Sequence, residues 1–98
     1  MTLKVVFRRA AQDEFNDATV WYEGRQPGLG SQFAFEVENA VELAVNHPER
    51  FPVKHADIRA VHVKRFPYTV FFRPEADRIV VFAIFHARRD PVVWQKRG

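Results

Sequence analysis

The side chains best suited to chemistry in this chain are cations gathered towards its C-terminal end: Arg59, Lys64, Arg65 and Arg73, then the run His86-Ala87-Arg88-Arg89-Asp90-Pro91. If residues 86 to 90 continue as an extended segment, His86, Arg88 and Asp90 share one side, because side chains alternate along a strand. A group that exchanges protons near neutral pH then stands beside fixed positive charge. Metal-free RNA cleavage needs such a pairing, a base for the 2′-hydroxyl and cations for the phosphorane-like transition state. The plainer alternative is a surface ion pair between Arg88 and Asp90, with His86 satisfied at a strand end. Other chemistries find less to work with. The one serine, Ser31, is explained by helix capping, and no cysteine is present to act as nucleophile or thiolate ligand. His47, His55, His62 and His86 include no i,i+4 pair, so neither a metal nor a cofactor is expected. Gly24, Gly28, Gly30 and Gly98 form no phosphate-cradling motif, and the RNP1 pattern is missing.

These residues must be positioned by a small scaffold. With 98 residues, the chain has the length of a single domain, 1–98. Leu3, Val5 and Phe7 alternate as in a short strand. From residue 10 to about 23, Ala11, Phe15, Ala18 and Tyr22 recur at helical spacing, and Gly24 is the natural left-handed residue to end that helix. Gln26-Pro27-Gly28-Leu29-Gly30 reads as a turn, with Ser31 as N-cap of a second helix that buries Phe33, Val37, Ala40, Val41 and Ala44 and stops before Pro48. Two such helices joined by a short turn pack antiparallel. A Pro-bearing loop over 47–57 leads to three extended runs, 58–66, 68–73 and 78–86, with a hairpin turn at 74–77. The expected fold is α+β, in the order β-α-α-β-β-β, a helical hairpin packed on an antiparallel sheet.

Two further features bear on partners. Residues 1–53 carry 5 basic and 8 acidic side chains, net −3, whereas residues 54–98 carry 10 and 4, net +6, and 11 of the 15 cations are Arg. A basic half rich in planar guanidinium groups points to a polyanionic or acidic partner. The last run is apolar on both faces, Ile79, Val81, Ala83 and Phe85 on one and Val80, Phe82 and Ile84 on the other. The hairpin can shield one face. The other needs the tail around Val92, Val93 and Trp94, or a second protein chain. The longest apolar run, 79–85, is too short to span a membrane, no secretory pattern opens the chain, and the expected location is the cytoplasm.

The element order, the helix from Ala10-Ala11-x-Asp13-x-Phe15 to Trp21-Tyr22, the segment Arg65-Phe66-Pro67-Tyr68-Thr69-Val70-Phe71-Phe72-Arg73 and the ending Phe85-His86-Ala87-Arg88-Arg89-Asp90-Pro91 together resemble the RelE/ParE superfamily of toxins from bacterial type II toxin-antitoxin modules, also known as plasmid-stabilisation systems. The likeness covers nearly the whole chain. It implies a cognate antitoxin that wraps the toxin into a hetero-oligomer, with Phe71, Arg73 and Phe82 as antitoxin-binding residues. It implies one of two targets. RelE-like members cleave mRNA in the ribosome; carried over, Arg65, Arg88 and His86 become the catalytic candidates of an mRNA interferase. ParE-like members inhibit DNA gyrase without a reaction of their own, and Arg88, Arg89 and Trp94 become the target-binding candidates. Trp94 stands where the nuclease pattern has a Tyr, and an indole cannot serve as a phenolic acid or base. The loop before Ile58 holds only Lys54, where nuclease relatives tend to carry more than one Lys. The ending is more similar to the ParE branch, so gyrase inhibition is the expected activity.

Overall fold

In a computed structural model, which describes residues 3–97, the elements run β1 (Lys4–Phe7), α1 (Arg9–Arg25), α2 (Leu29–Asn46), a 3-10 turn (Pro48–Arg50), β2 (Val53–His55), β3 (Ile58–His62), β4 (Tyr68–Pro74), β5 (Arg78–His86) and α3 (Val92–Gln95). The five strands form one sheet in the order β1-β5-β4-β3-β2. Strands β2 to β5 pair antiparallel, as expected, while β1 joins β5 in parallel, so the sheet is mixed. That parallel partnership follows from the hairpin of helices, which carries the chain across the sheet between β1 and the strands that follow. β2 lies in what reads as loop; its three residues are all exposed and show no alternation.

The helical hairpin has the predicted faces. Ala11 and Ala18 of α1, and Phe33, Val37, Ala40, Val41 and Ala44 of α2, are buried against Val61, Val70, Phe72, Ile79 and Val81 of the sheet. Phe15 and Tyr22 pack at the margin of this core, and Tyr22, Phe33, Phe66 and Tyr68 form an aromatic cluster with ring centroids 4.9 to 6.2 Å apart.

The turn between the helices differs from expectation. α1 runs through Gly24 to Arg25, and Gly28 is the left-handed residue, at φ 88°. α2 starts at Leu29, which leaves Ser31 inside its first turn and not at the cap. The capping is supplied from α1: the Glu23 carboxylate accepts hydrogen bonds from the N–H groups of Gly28 (2.9 Å) and Gly30 (3.0 Å). A carboxylate at a helix N-terminus satisfies orphan donors and opposes the helix dipole, which relieves Ser31 of that role. Gly30 is the point of closest approach, since a Cβ there would lie 2.7 Å from the Thr19 carbonyl oxygen.

The largest correction concerns β5. Phe71 pairs with Ala83 but Phe72 pairs with Val81, so Phe82 is an extra residue, a β-bulge. The bulge reverses the alternation. Ile79 and Val81 face the helices before it and Ile84 does so after it, whereas Phe82, Ala83 and Phe85 turn to the opposite face. The period-two assignment of faces therefore holds as far as Phe82 and is inverted from Ala83 onward.

Candidate functional site

The second face of the sheet is closed by the chain itself. Ile58, Phe82, Ala83, Phe85 and Trp94 form a second buried cluster with Phe71 packed against it. Trp94 is 1% exposed; its ring stacks on Phe71 with centroids 4.0 Å apart and meets His55 edge-on at 5.9 Å. Arginine side chains seal the rest. Arg8 and Arg73 lie over the Phe82 ring, at 5.0 and 5.8 Å, and Arg89 and Arg97 over Phe85, at 4.4 and 5.9 Å. In each case the guanidinium itself lies over the ring, which covers aromatic surface and adds a cation–π attraction. Of the two candidates for covering this face, the tail supplies Trp94, and shallow clefts lined by Phe71, Pro91 and Trp94 remain beside it.

The C-terminal cations are presented by a turn. β5 ends at His86, so the extended continuation to residue 90 does not occur, and His86, Arg88 and Asp90 do not line one side of a strand. The polypeptide folds back instead. The N–H of Arg88 donates to His86 Nδ1 (3.0 Å), and the N–H of Arg89 to the His86 carbonyl (3.1 Å). Nδ1 is thus the acceptor, which places the proton of the neutral ring on Nε2. The Asp90 carboxylate accepts from the Val92 N–H (3.0 Å) at the start of α3, so it caps a helix and makes no ion pair with Arg88. The Arg88 guanidinium is exposed and has no carboxylate within ion-pair distance among the described residues.

The other candidates are dispersed. Arg65 sits in the β3–β4 turn at φ 70°, its guanidinium donating to Gln32 Oε1 (3.0 Å) and paired with Glu36 at 4.0 Å, both on α2. No hydrogen bond or ion pair among the described residues joins it to His86 or Arg88. Arg59 is committed to the Phe51 carbonyl (2.8 Å) and not to the acidic helices. Phe71 lies beneath Trp94, Phe82 is 4% exposed beneath its two arginines, and Arg73 is held to Glu75 at 3.4 Å. Trp94, offered by the sequence both as a target-binding candidate and as tail cover for the sheet, is buried in the second cluster, where it is the large side chain that the tail contributes.

Between α1 and the end of β5 lies a cleft of about 270 Å³, with Trp21, Tyr68, His86 and Arg89 among its walls and Glu14 at its base. His86 and Tyr68 meet edge-on at 5.0 Å. Burial raises the Tyr68 phenol above its ordinary value, Tyr22 adds to that, and Arg89 opposes it. The residue missed from sequence is Glu14. Its carboxylate, 13% exposed, accepts from the Ile84 N–H (3.1 Å), from Arg89 Nη1 (2.8 Å) and from Arg97 Nη1 (3.1 Å) and Nη2 (2.6 Å). A signal for it exists: Glu14 lies three residues after Ala11 and four before Ala18, on the apolar stripe of α1, where a carboxylate needs a cation.

The arrangement can hold an anion or an acidic surface at a cationic turn, and the cleft beside it gathers Tyr68, His86 and Arg89, while Arg65 stands apart on the α2 side. The family profile described as ParE toxin of type II toxin-antitoxin system, parDE, matches residues 5–91. No curated protein matches the chain. Among solved structures the chain is similar to one described as the chromosomal ParDE TA system from P. aeruginosa, with 14% sequence identity and a TM-score of 0.76 over 88% of this chain and 97% of that one. At that identity the likeness is one of fold.

Proposed function

The chain belongs to the ParE family of toxins from type II toxin-antitoxin systems, and from that premise we propose that it acts in the cytoplasm by binding and inhibiting DNA gyrase, without a reaction of its own, until a cognate antitoxin neutralises it. The observation that carries this reading is the hydrogen-bonded turn at 87–90, which offers the exposed Arg88, without a carboxylate partner among the described residues, beside Arg89. Arginine is a frequent anchor of protein interfaces. Trp94 contributes from within by seating α3 behind that turn. Among the described residues no helix is long and apolar enough to cross a membrane.

The alternative, a ribosome-dependent mRNA endoribonuclease using Arg65, Arg88 and His86, draws less support, since Arg65 is turned towards Gln32 and Glu36 while His86 stands against Tyr68. For the antitoxin we assign Phe71, Arg73 and Phe82. An acidic segment that pairs with Arg73 in place of Glu75 lifts the guanidinium from the Phe82 ring and opens the apolar patch beneath.

The experiment is induction of the toxin alone in a bacterial host, with plasmid supercoiling and protein synthesis followed in parallel. Relaxation of plasmid before translation stops supports the gyrase reading. Arrest of translation with cut mRNA and normal supercoiling overturns it.

A further inference from the structure

The Glu14 carboxylate stands where a strand would otherwise continue. β1 gives up its partnership with β5 after Phe7, the last contact being the Arg8 N–H to the Val81 carbonyl at 2.9 Å. Beyond that point the Phe82 carbonyl and the Ile84 N–H project from the open edge of β5. A neighbouring strand would supply them one N–H and one C=O. Here Arg97 Nη1 donates to the Phe82 oxygen (3.2 Å), Glu14 Oε1 accepts from Ile84 (3.1 Å), and the two side chains bond to each other. An ion pair between the first helix and the tail thus completes the edge that the bulge displaces.

The tail needs this fastening. α3 is a single turn of four residues, too short to be stable alone. Trp94 buries its ring at a cost, because Nε1 is buried with no hydrogen-bond partner among the described residues. Opposing that cost are the Phe71 stack and the Arg97 fork on Glu14. The same carboxylate fixes Arg89, which covers Phe85 and borders the cleft beside His86.

We propose that Glu14 is the positioning residue of the C-terminal cationic surface: by clasping Arg97 and Arg89 it fastens α3, with Trp94 seated behind it, and fixes the geometry in which Arg88 and Arg89 meet their target. This deepens the gyrase-binding reading and rests on it for its functional half. Glu14 touches no target itself; it acts through the two arginines. Charge-assisted, bidentate contacts of this kind define orientation more sharply than the neutral bonds that a glutamine would leave.

The test uses the full chain with Trp21→Phe, so that emission comes from Trp94 alone; Trp21 is 57% exposed and its loss leaves the core intact. Glu14→Gln and Arg97→Ala are each expected to raise acrylamide quenching of Trp94 about threefold through local opening of the tail. The double variant is expected to go no further than Arg97→Ala, because both changes remove the same fastening. A purely structural role for Glu14 in seating α1 on β5 would persist without Arg97 and would make the effects add. In a supercoiling assay Glu14→Gln is expected to need about tenfold more toxin for half inhibition, with an unchanged far-UV circular dichroism spectrum. Trp94 as protected as in the unaltered chain, additive effects, or an exposed Trp94 with undiminished inhibition each overturns the proposal. If the unaltered toxin leaves gyrase undisturbed, the target reading fails by itself, and quenching alone then decides whether Glu14 holds the tail.

Discussion

Replacing Trp94 measures how much of the fold depends on the chain covering its own second face. Truncating a fully buried Trp to Ala costs about 3–5 kcal/mol in a closed core. Two features of this site lower that figure. α3 is one turn near the end of the chain and can unravel without disturbing the sheet. The indole Nε1 has no hydrogen-bond partner among the described residues, so removing it recovers ~1 kcal/mol. The net expectation for Trp94→Ala is a loss of about 2–3 kcal/mol, which in a chain of this size lowers Tm by roughly 10 to 20 °C. Trp94→Phe keeps a ring on Phe71 and discards the orphaned donor, and its stability should fall within ~1 kcal/mol of the unaltered protein. Urea denaturation followed by circular dichroism reads both variants. Equal stability of Trp94→Ala and the unaltered chain, or a Phe variant as weak as the Ala variant, would refute the reasoning.

Other consequences are equally open to test. Gly30→Ala forces a methyl group against the Thr19 carbonyl oxygen and Glu23 at 2.7 to 2.9 Å; a loss of about 1–3 kcal/mol in thermal denaturation is expected, and unchanged stability would mean that the helices separate freely. Burial holds the Tyr68 and Tyr22 phenols above their ordinary value of 10.0, so the unfolded chain ionises first as pH rises and stability falls beyond about pH 10. Tyr68→Phe should flatten that alkaline decline in urea midpoints measured from pH 8 to about 11. A slope as steep as that of the unaltered chain would assign the decline to other groups.

Much of this architecture is legible in the amino-acid order because the helices follow one rule throughout. The stripe through Phe33, Val37, Ala40, Val41 and Ala44 is buried as its spacing demands. Strand β5 obeys its own rule only to Phe82, since an apolar residue suits either face and an unbroken apolar run carries no mark where a bulge inserts. β2 escaped notice for the opposite reason: three exposed residues offer no contrast between faces. At the site, the cationic run at 86–89 is visible in the sequence, but its fold into a turn depends on His86 Nδ1 and the Asp90 cap, which only three-dimensional structure reveals. Glu14 finds its partners 70 to 83 residues further along, beyond the reach of any local pattern except its misplaced position on an apolar stripe. The sequence shows that the second face needs cover and offers two occupants, the tail around Trp94 or a second chain, without deciding between them; in the structure Trp94 and four arginines pack there.

Inhibition of purified DNA gyrase by the unaltered toxin and by Arg88→Glu examines the central claim most directly, because Arg88 carries an exposed charge with no ion-pair partner among the described residues. Supercoiling should be halted by the unaltered chain at micromolar concentration or below, and Arg88→Glu should require about tenfold more. Full supercoiling in the presence of excess unaltered toxin would contradict the account.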